Sequence, residues 1–324
     1  DDLTERLLAN LPFPLTGAQR RAVAEIAADL VQPHPMQRLL QGDVGAGKTI
    51  VAALAACQAI SAGWQAAFMA PTEILAEQHY LKLRDWLEPL GVKVAWLSGS
   101  LKSKAKREQL AAAAADAQLV VGTHALIQEG VDFARLGLAI VDEQHRFGVA
   151  QRLALRKKGN NPHQLMMSAT PIPRTLAMSY YADLDVSTID ELPPGRTPVL
   201  TRLFAENRRD QVIERIADEV GQGRQAYWVC PLIDESDAVR HQAAEETAAA
   251  LSAALPDVRV GLVHGRMPGA KKDAVMTAFK RGELDLLVAT TVIEVGVDVP
   301  NASLMVVENA ERMGLAQLHQ LRGR

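Results

Sequence analysis

Short apolar runs alternate with longer helical patterns along the first half of the chain. Arg38-Leu39-Leu40 leads into a glycine-rich loop, and Ile50 to Ile60 has the pattern of the helix that follows. Gln65 to Ala70 reads as a strand, Ile74 to Leu87 as a helix and Val92 to Leu97 as a strand. Lys104 to Ala115 is dominated by alanine, the best helix former. Leu119–Gly122, Leu138–Val141 and Leu165–Met167 complete a set of short buried strands. Runs of this kind, bounded by turn residues and separated by helices, predict a parallel sheet with helices on both faces.

The pattern breaks at Glu191-Leu192-Pro193-Pro194-Gly195-Arg196-Thr197-Pro198, which can continue neither a helix nor a strand. The alternation then resumes. Strands are predicted at Val199–Leu203, Gln225–Val229, Val258–Val263, Leu286–Ala289 and Ser303–Val307, with helices between them. The expected architecture is two α/β domains in tandem, residues 1–192 and 199–324, joined by a linker at 193–198.

Composition narrows the functional classes only a little. A chain of 324 residues suits two domains, and 48% hydrophobic with 23% charged residues is the balance of a globular protein with real cores. Cys57 and Cys230 are too few for a disulfide framework or a zinc site, and their apolar surroundings predict buried, reduced thiols in a cytosolic protein. No apolar stretch approaches the roughly 20 residues that span a bilayer, and no signal segment opens the chain. The net charge of −3 gives no support to a phosphate-backbone partner, so any such reading must rest on motifs. A chain that opens without methionine and stops abruptly at Arg324 reads as a piece of something longer.

Gly42-Asp43-Val44-Gly45-Ala46-Gly47-Lys48-Thr49 fits the pattern G-x-x-x-x-G-K-[ST] in full. Its glycines let backbone N–H groups turn inward around phosphate oxygens, and the helix starting at Lys48 adds its positive end. Lys48 is expected to reach the β- and γ-phosphates of ATP, and Thr49 to offer its hydroxyl to Mg²⁺. The apolar run Leu138-Ala139-Ile140-Val141 delivers Asp142 and Glu143 at its carboxyl end, where open α/β sheets place catalytic groups. Asp142 is the expected Mg²⁺ partner, and Glu143 the group that orients and deprotonates the attacking water. Val120–Gly122 and Leu165–Met167 are expected as neighbouring strands. The histidines show no metal-ligand spacing.

These motifs define a phosphate-loop NTPase; its task comes from others. In order along the chain, the sequence resembles superfamily 2 helicases. Phe13, Thr16 and Gln19 resemble the element that recognises adenine. Ala70-Pro71-Thr72-Glu73 and Gly122-Thr123-His124 resemble strand-tracking motifs. Ser168-Ala169-Thr170 resembles the segment that couples hydrolysis to domain movement, together with Gln144 and His145. Thr290-Thr291-Val292-Ile293-Glu294-Val295-Gly296-Val297-Asp298 resembles a motif touching both nucleic acid and nucleotide, through Thr290 and Thr291 on one side and Gly296 and Asp298 on the other. Gln320-Leu321-Arg322-Gly323-Arg324 resembles the opening of an arginine-finger motif, with Arg324 the candidate finger. The resemblance implies two RecA-like domains, an ATP cleft between them, and a DNA partner gripped by hydroxyls and backbone amides instead of a basic surface.

Within that superfamily three longer segments, 142–149, 170–178 and 315–324, are similar to bacterial branch-migration helicases. Gln144 stands where the transcription-repair coupling translocases typically carry glutamate. The resemblance implies a cytoplasmic, nucleoid-associated monomer acting on branched or duplex DNA, with single-stranded-DNA-binding protein a further partner. Members of that group also carry an N-terminal wedge domain and a C-terminal segment not found here, and their arginine motif continues past Arg324. Weak ATP hydrolysis by this stretch alone is therefore expected.

Overall fold

The computed structural model describes residues 2–97, 104–128, 130–142, 149–169, 184–231, 237–290 and 299–323. They form two compact units, 1–197 and 198–324, each a RecA-like α/β layer structure.

The first unit is built on strands β1 (Gln37–Gly42), β2 (Gln65–Met69), β3 (Val94–Leu97), β4 (Leu119–Gly122), β5 (Leu136–Val141), β6 (His163–Ser168) and β7 (Asp185–Ile189). They lie side by side in the order β3-β4-β2-β5-β6-β1-β7, every pairing parallel. Alternate residues of each strand sort to opposite faces. Leu40, Phe68, Val121, Ile140 and Met167 join one core. Leu39, Met69, Val120, Val141 and Met166 join the other. This is why the strands read as continuous apolar runs.

Helices α1 (Leu3–Asn10), α2 (Gly17–Leu30), α3 (Lys48–Ser61) and α4 (Glu73–Leu87) cover the first face. The other face is covered by α5 (Lys104–Asp116) and α6 (Val149–Lys158). Helix α3 is buried almost all round, and its Ala52, Ala53, Ala55 and Ala56 let the sheet below and α2 above approach closely. Thr16 caps α2 in a closed capping box with Gln19, a device worth about 1 kcal/mol.

The second unit holds β8 (Gln225–Val229), β9 (Val260–Val263), β10 (Leu286–Ala289) and β11 (Ala302–Val307), parallel in the order β11-β8-β10-β9. Helices α7 (Arg209–Gly221) and α8 (Asp237–Ala254) pack on the face of Ala226, Trp228 and Val288. Helices α9 (Gly269–Lys280) and α10 (Leu315–Arg322) supply Phe279 and Leu321 to the face of Tyr227, Val229 and Leu287.

Three expectations need correction, and one strand was not expected at all. Val199–Leu203 forms no strand; none of the described strands pairs with it, and Leu200 and Leu203 are exposed. Strand β7 escaped the sequence reading because Asp185-Val186-Ser187-Thr188-Ile189 mixes polar and apolar residues at the sheet edge. Of the neighbours expected for β5, β6 is one, but β2 lies between β5 and β4. Cys57 is buried, whereas Cys230 is only half-buried; burial is the main cause that pushes both thiols up to about 12.

Candidate nucleotide site and nucleic-acid edge

Because every strand of the first sheet is parallel, the loops leaving their carboxyl ends lie along one edge. The phosphate loop follows β1, Ser168 ends β6, Asp142 follows β5, Pro71 and Thr72 follow β2, and Thr123 and His124 follow β4. Backbone hydrogen bonds hold this edge together. Ala70 N–H donates to Gly122 O at 3.0 Å, and Asp142 N–H to Met69 O at 2.8 Å.

The phosphate loop turns on left-handed glycines, Gly45 at φ 78° and Gly47 at φ 87°. Ala46 N–H closes a turn on Asp43 O at 2.9 Å. Gly47 occupies the N-cap of α3 and offers no side chain to the helix's first amides, the arrangement of an anion site. The Lys48 ammonium lies over the loop, donating to Gly42 O at 2.6 Å and Asp43 O at 3.1 Å.

Gln19 is fixed at both ends of its amide. Its Oε1 accepts from Thr16 N–H at 2.9 Å and its Nε2 donates to Ala46 O at 2.9 Å. A Cβ on Gly47 would lie 2.0 Å from Gln19 Nε2, so the glycine is required by the glutamine as well as by its φ. The element expected to read adenine is thus tied directly to the phosphate loop, while Phe13 beside it is exposed.

Asp142 is buried, at 8% exposure, and His79 of α4 meets it: Nε2 lies 2.6 Å from Asp142 Oδ2. The bond requires the ring to carry its hydrogen on Nε2. The imidazole also leans on Phe68, centroids 4.6 Å apart. His79 was missed in the sequence, yet a signal exists. It stands three residues after Ala76 and four before Leu83, both buried, so it shares their helical face, where a polar ring needs a partner.

A second missed residue comes from the linker. Ile189 pairs with Gly42 in the sheet, and the chain then passes α2, where Glu191 Oε2 accepts from Ala18 N–H at 3.1 Å. It returns at Arg196, whose Nη1 donates to Val44 O at 2.6 Å.

The nucleic-acid candidates occupy the far end of the edge. Thr72 caps α4 by accepting from Leu75 N–H, and Thr123 caps the short 3-10 turn 124–127 by accepting from Ala125 N–H. Thr123 is buried and His124 exposed; Pro71 is half-buried. Ser168 is buried at the end of β6, and in the second unit Thr290 is buried where β10 ends. Glu143, Gln144, His145, Thr170, Thr291, Gly296, Asp298 and Arg324 lie outside the described residues. Among the described residues there is no cluster of three or more His, Cys, Asp or Glu side chains able to hold a metal, and no helix long and apolar enough to cross a membrane.

Residues 16–179 match the family model of the DEAD/DEAH box helicases, and residues 208–324 that of the helicase conserved C-terminal domain. ATP-dependent DNA helicase RecG of Escherichia coli (strain K12) is 62% identical over 330 aligned residues, which take in 100% of this chain and 48% of the relative. RecG of Synechocystis sp. (strain ATCC 27184 / PCC 6803 / Kazusa) is 55% identical, with 100% of this chain and 39% of the relative aligned. The chain thus spans half or less of the length of these relatives. A structure of RecG bound to a three-way DNA junction superposes with a TM-score of 0.82 at 48% identity, covering 99% of this chain and 42% of that one. Dbp5 of S. cerevisiae bound to RNA and ADP BeF3 shares the fold at 17% identity, with a TM-score of 0.71 over 100% of this chain and 84% of that one. The chain belongs to the DEAD/DEAH box helicase family, in a form similar along its whole length to the motor portion of RecG.

Proposed function

We propose that this chain is the ATP-driven motor of a DNA helicase, whose translocation along duplex DNA drives branch migration and reversal of stalled forks in the whole protein. The observation that carries it is the shared edge of the first sheet. A complete phosphate loop, the Asp142 carboxylate and the Thr72 and Thr123 turns leave parallel strands of one sheet on the same side.

In this reading the glycine cradle and the amides of α3 hold the triphosphate, and Lys48 swings from its loop carbonyls onto the β- and γ-oxygens. Thr49 and Asp142 present hard oxygens that fit Mg²⁺, which keeps most of its other positions for water and phosphate. When bound, the ion neutralises charge on the phosphates. Glu143 orients and deprotonates the attacking water, and Arg324 supplies transition-state charge. Ser168, Thr170, Gln144 and His145 pass the state of the phosphates to the DNA contacts. Pro71, Thr72, Thr123 and His124 grip backbone phosphates from the first domain, and Thr290 and Thr291 from the second. Gly296 and Asp298 touch the nucleotide, and Phe13 packs against its base. The protein works as a cytoplasmic monomer, with single-stranded-DNA-binding protein as a partner.

The test is the ATPase rate of the full-length protein on single-stranded, duplex, forked and four-way DNA. Forked and four-way substrates should stimulate most. Equal rates with and without DNA would overturn the reading in favour of a different remodelling motor.

A further inference from the structure

We propose that Arg196, in the linker, is a nucleotide-contacting residue that exchanges the Val44 carbonyl for a phosphate oxygen when a triphosphate seats on the loop. The proposal rests on the reading of 42–49 as the phosphate site.

The linker is shaped to deliver this side chain. Pro194 and Gly195 are the central residues of a turn closed by Arg196 N–H on Pro193 O at 3.3 Å, with Gly195 at φ 84°. Proline at the first central position and a left-handed glycine at the second make a type II turn, with the proline ring fixing its own φ. The seven-residue path from Ile189, which pairs with Gly42, therefore ends in a rigid bracket over the loop. The guanidinium lies so close to the loop backbone that a Cβ on Gly45 would stand 1.8 Å from Nη1. Gly45 thus leaves room for an arginine there, as Gly47 leaves room for Gln19.

Two cations, Lys48 and Arg196, share the loop, and both donate to its carbonyls: Gly42 and Asp43 for the lysine, Val44 for the arginine. Carbonyls are weaker partners than phosphate oxygens for a guanidinium, whose planar fork matches a tetrahedral oxyanion. A triphosphate seated on this loop therefore offers Arg196 a better acceptor than the Val44 carbonyl. Thr197 is the last residue of the first unit.

The experiment measures equilibrium binding of a fluorescent, non-hydrolysable ATP analogue with Mg²⁺ to full-length wild type, Arg196→Ala, Arg196→Gln, Arg196→Lys and Lys48→Ala. Melting temperature is followed for each as the control of folding. A charge-assisted contact to phosphate predicts weakening by about 10- to 100-fold in Arg196→Ala. Arg196→Lys should recover part of the loss and Arg196→Gln none. A mere anchor on the Val44 carbonyl needs only a donor, so recovery by Gln would overturn the proposal. Binding within twofold of wild type, or tighter, in Arg196→Ala would also overturn it. Lys48→Ala separates the two readings. If that variant binds normally, the phosphate-loop assignment itself fails; if it alone loses binding, only the role of Arg196 fails.

Discussion

His79 and Asp142 form a 2.6 Å hydrogen bond between a helix on one face of the first sheet and the carboxyl end of its central strand β5. The imidazole fixes the direction of a carboxylate that stands on the same sheet edge as the phosphate loop. We expect His79→Ala to lower kcat/KM for ATP by about tenfold or more, the scale of a lost hydrogen bond to a charged group. His79→Gln, which restores a donor, should recover part of that. A steady-state ATPase assay at several Mg²⁺ concentrations checks it, and an unchanged rate in His79→Ala would remove the positioning role.

Glu143→Gln should keep ATP binding and lose nearly all turnover, because the amide can orient water without taking its proton. Nucleotide binding measured beside single-turnover hydrolysis separates the two. Hydrolysis at the wild-type rate would assign the base elsewhere.

Gly47→Ala meets two obstacles, a φ of 87° and Gln19 Nε2 at 2.0 Å from the new Cβ. A non-glycine residue held there costs on the order of 1–3 kcal/mol. Adding Gln19→Ala should relieve the clash and leave the backbone strain. Denaturant melts of the two single variants and the double variant should therefore be non-additive, with the double variant more stable than the sum predicts. Strict additivity would show that the two residues do not meet.

His163 opens β6 and accepts the Met36 N–H on Nδ1 at 2.7 Å, a role open only to the neutral ring. Burial holds its pKa below the ordinary histidine value. The folded state therefore prefers the deprotonated ring. The stability this confers is complete above about pH 6.5, the unfolded value, and is lost as pH falls from there towards the folded pKa. Thermal melts of wild type between pH 7.5 and pH 5.5 should show a drop that His163→Gln reduces. Identical slopes for the two proteins would contradict it.

Much of this was readable in the residues because parallel strands covered on both faces leave an unmistakable record. Leu138-Ala139-Ile140-Val141 can be little else, and the glycines of 42–47 declare their loop by spacing alone. The exposed run Val199–Leu203 misled for a related reason: apolar residues mark a strand only when a neighbour pairs with their backbone. Edge strand β7 hid because an edge tolerates Asp185, Ser187 and Thr188. The partners of His79 and Arg196 were illegible for another cause. Each works through a partner distant in sequence, 63 positions away for His79 and 152 for Arg196. The helical face that His79 shares with Ala76 and Leu83 signals that it needs a partner but not which one, and nothing in the linker signals the partner of Arg196.

The strand order of the first sheet also sets the distance over which the proposed ATP chemistry would have to act. From β1, which carries the phosphate loop, the sheet passes β6, β5 and β2 before reaching β4 and Thr123. Four steps of about 4.8 Å make roughly 19 Å. A seven-stranded sheet clamped between two close-packed cores does not flex enough to carry a message that far. In the proposed function, news of the γ-phosphate therefore has to pass along the edge where β6 and β5 end, at Ser168 and Asp142, and not through the sheet. The sheet would then serve that relay as a fixed ruler.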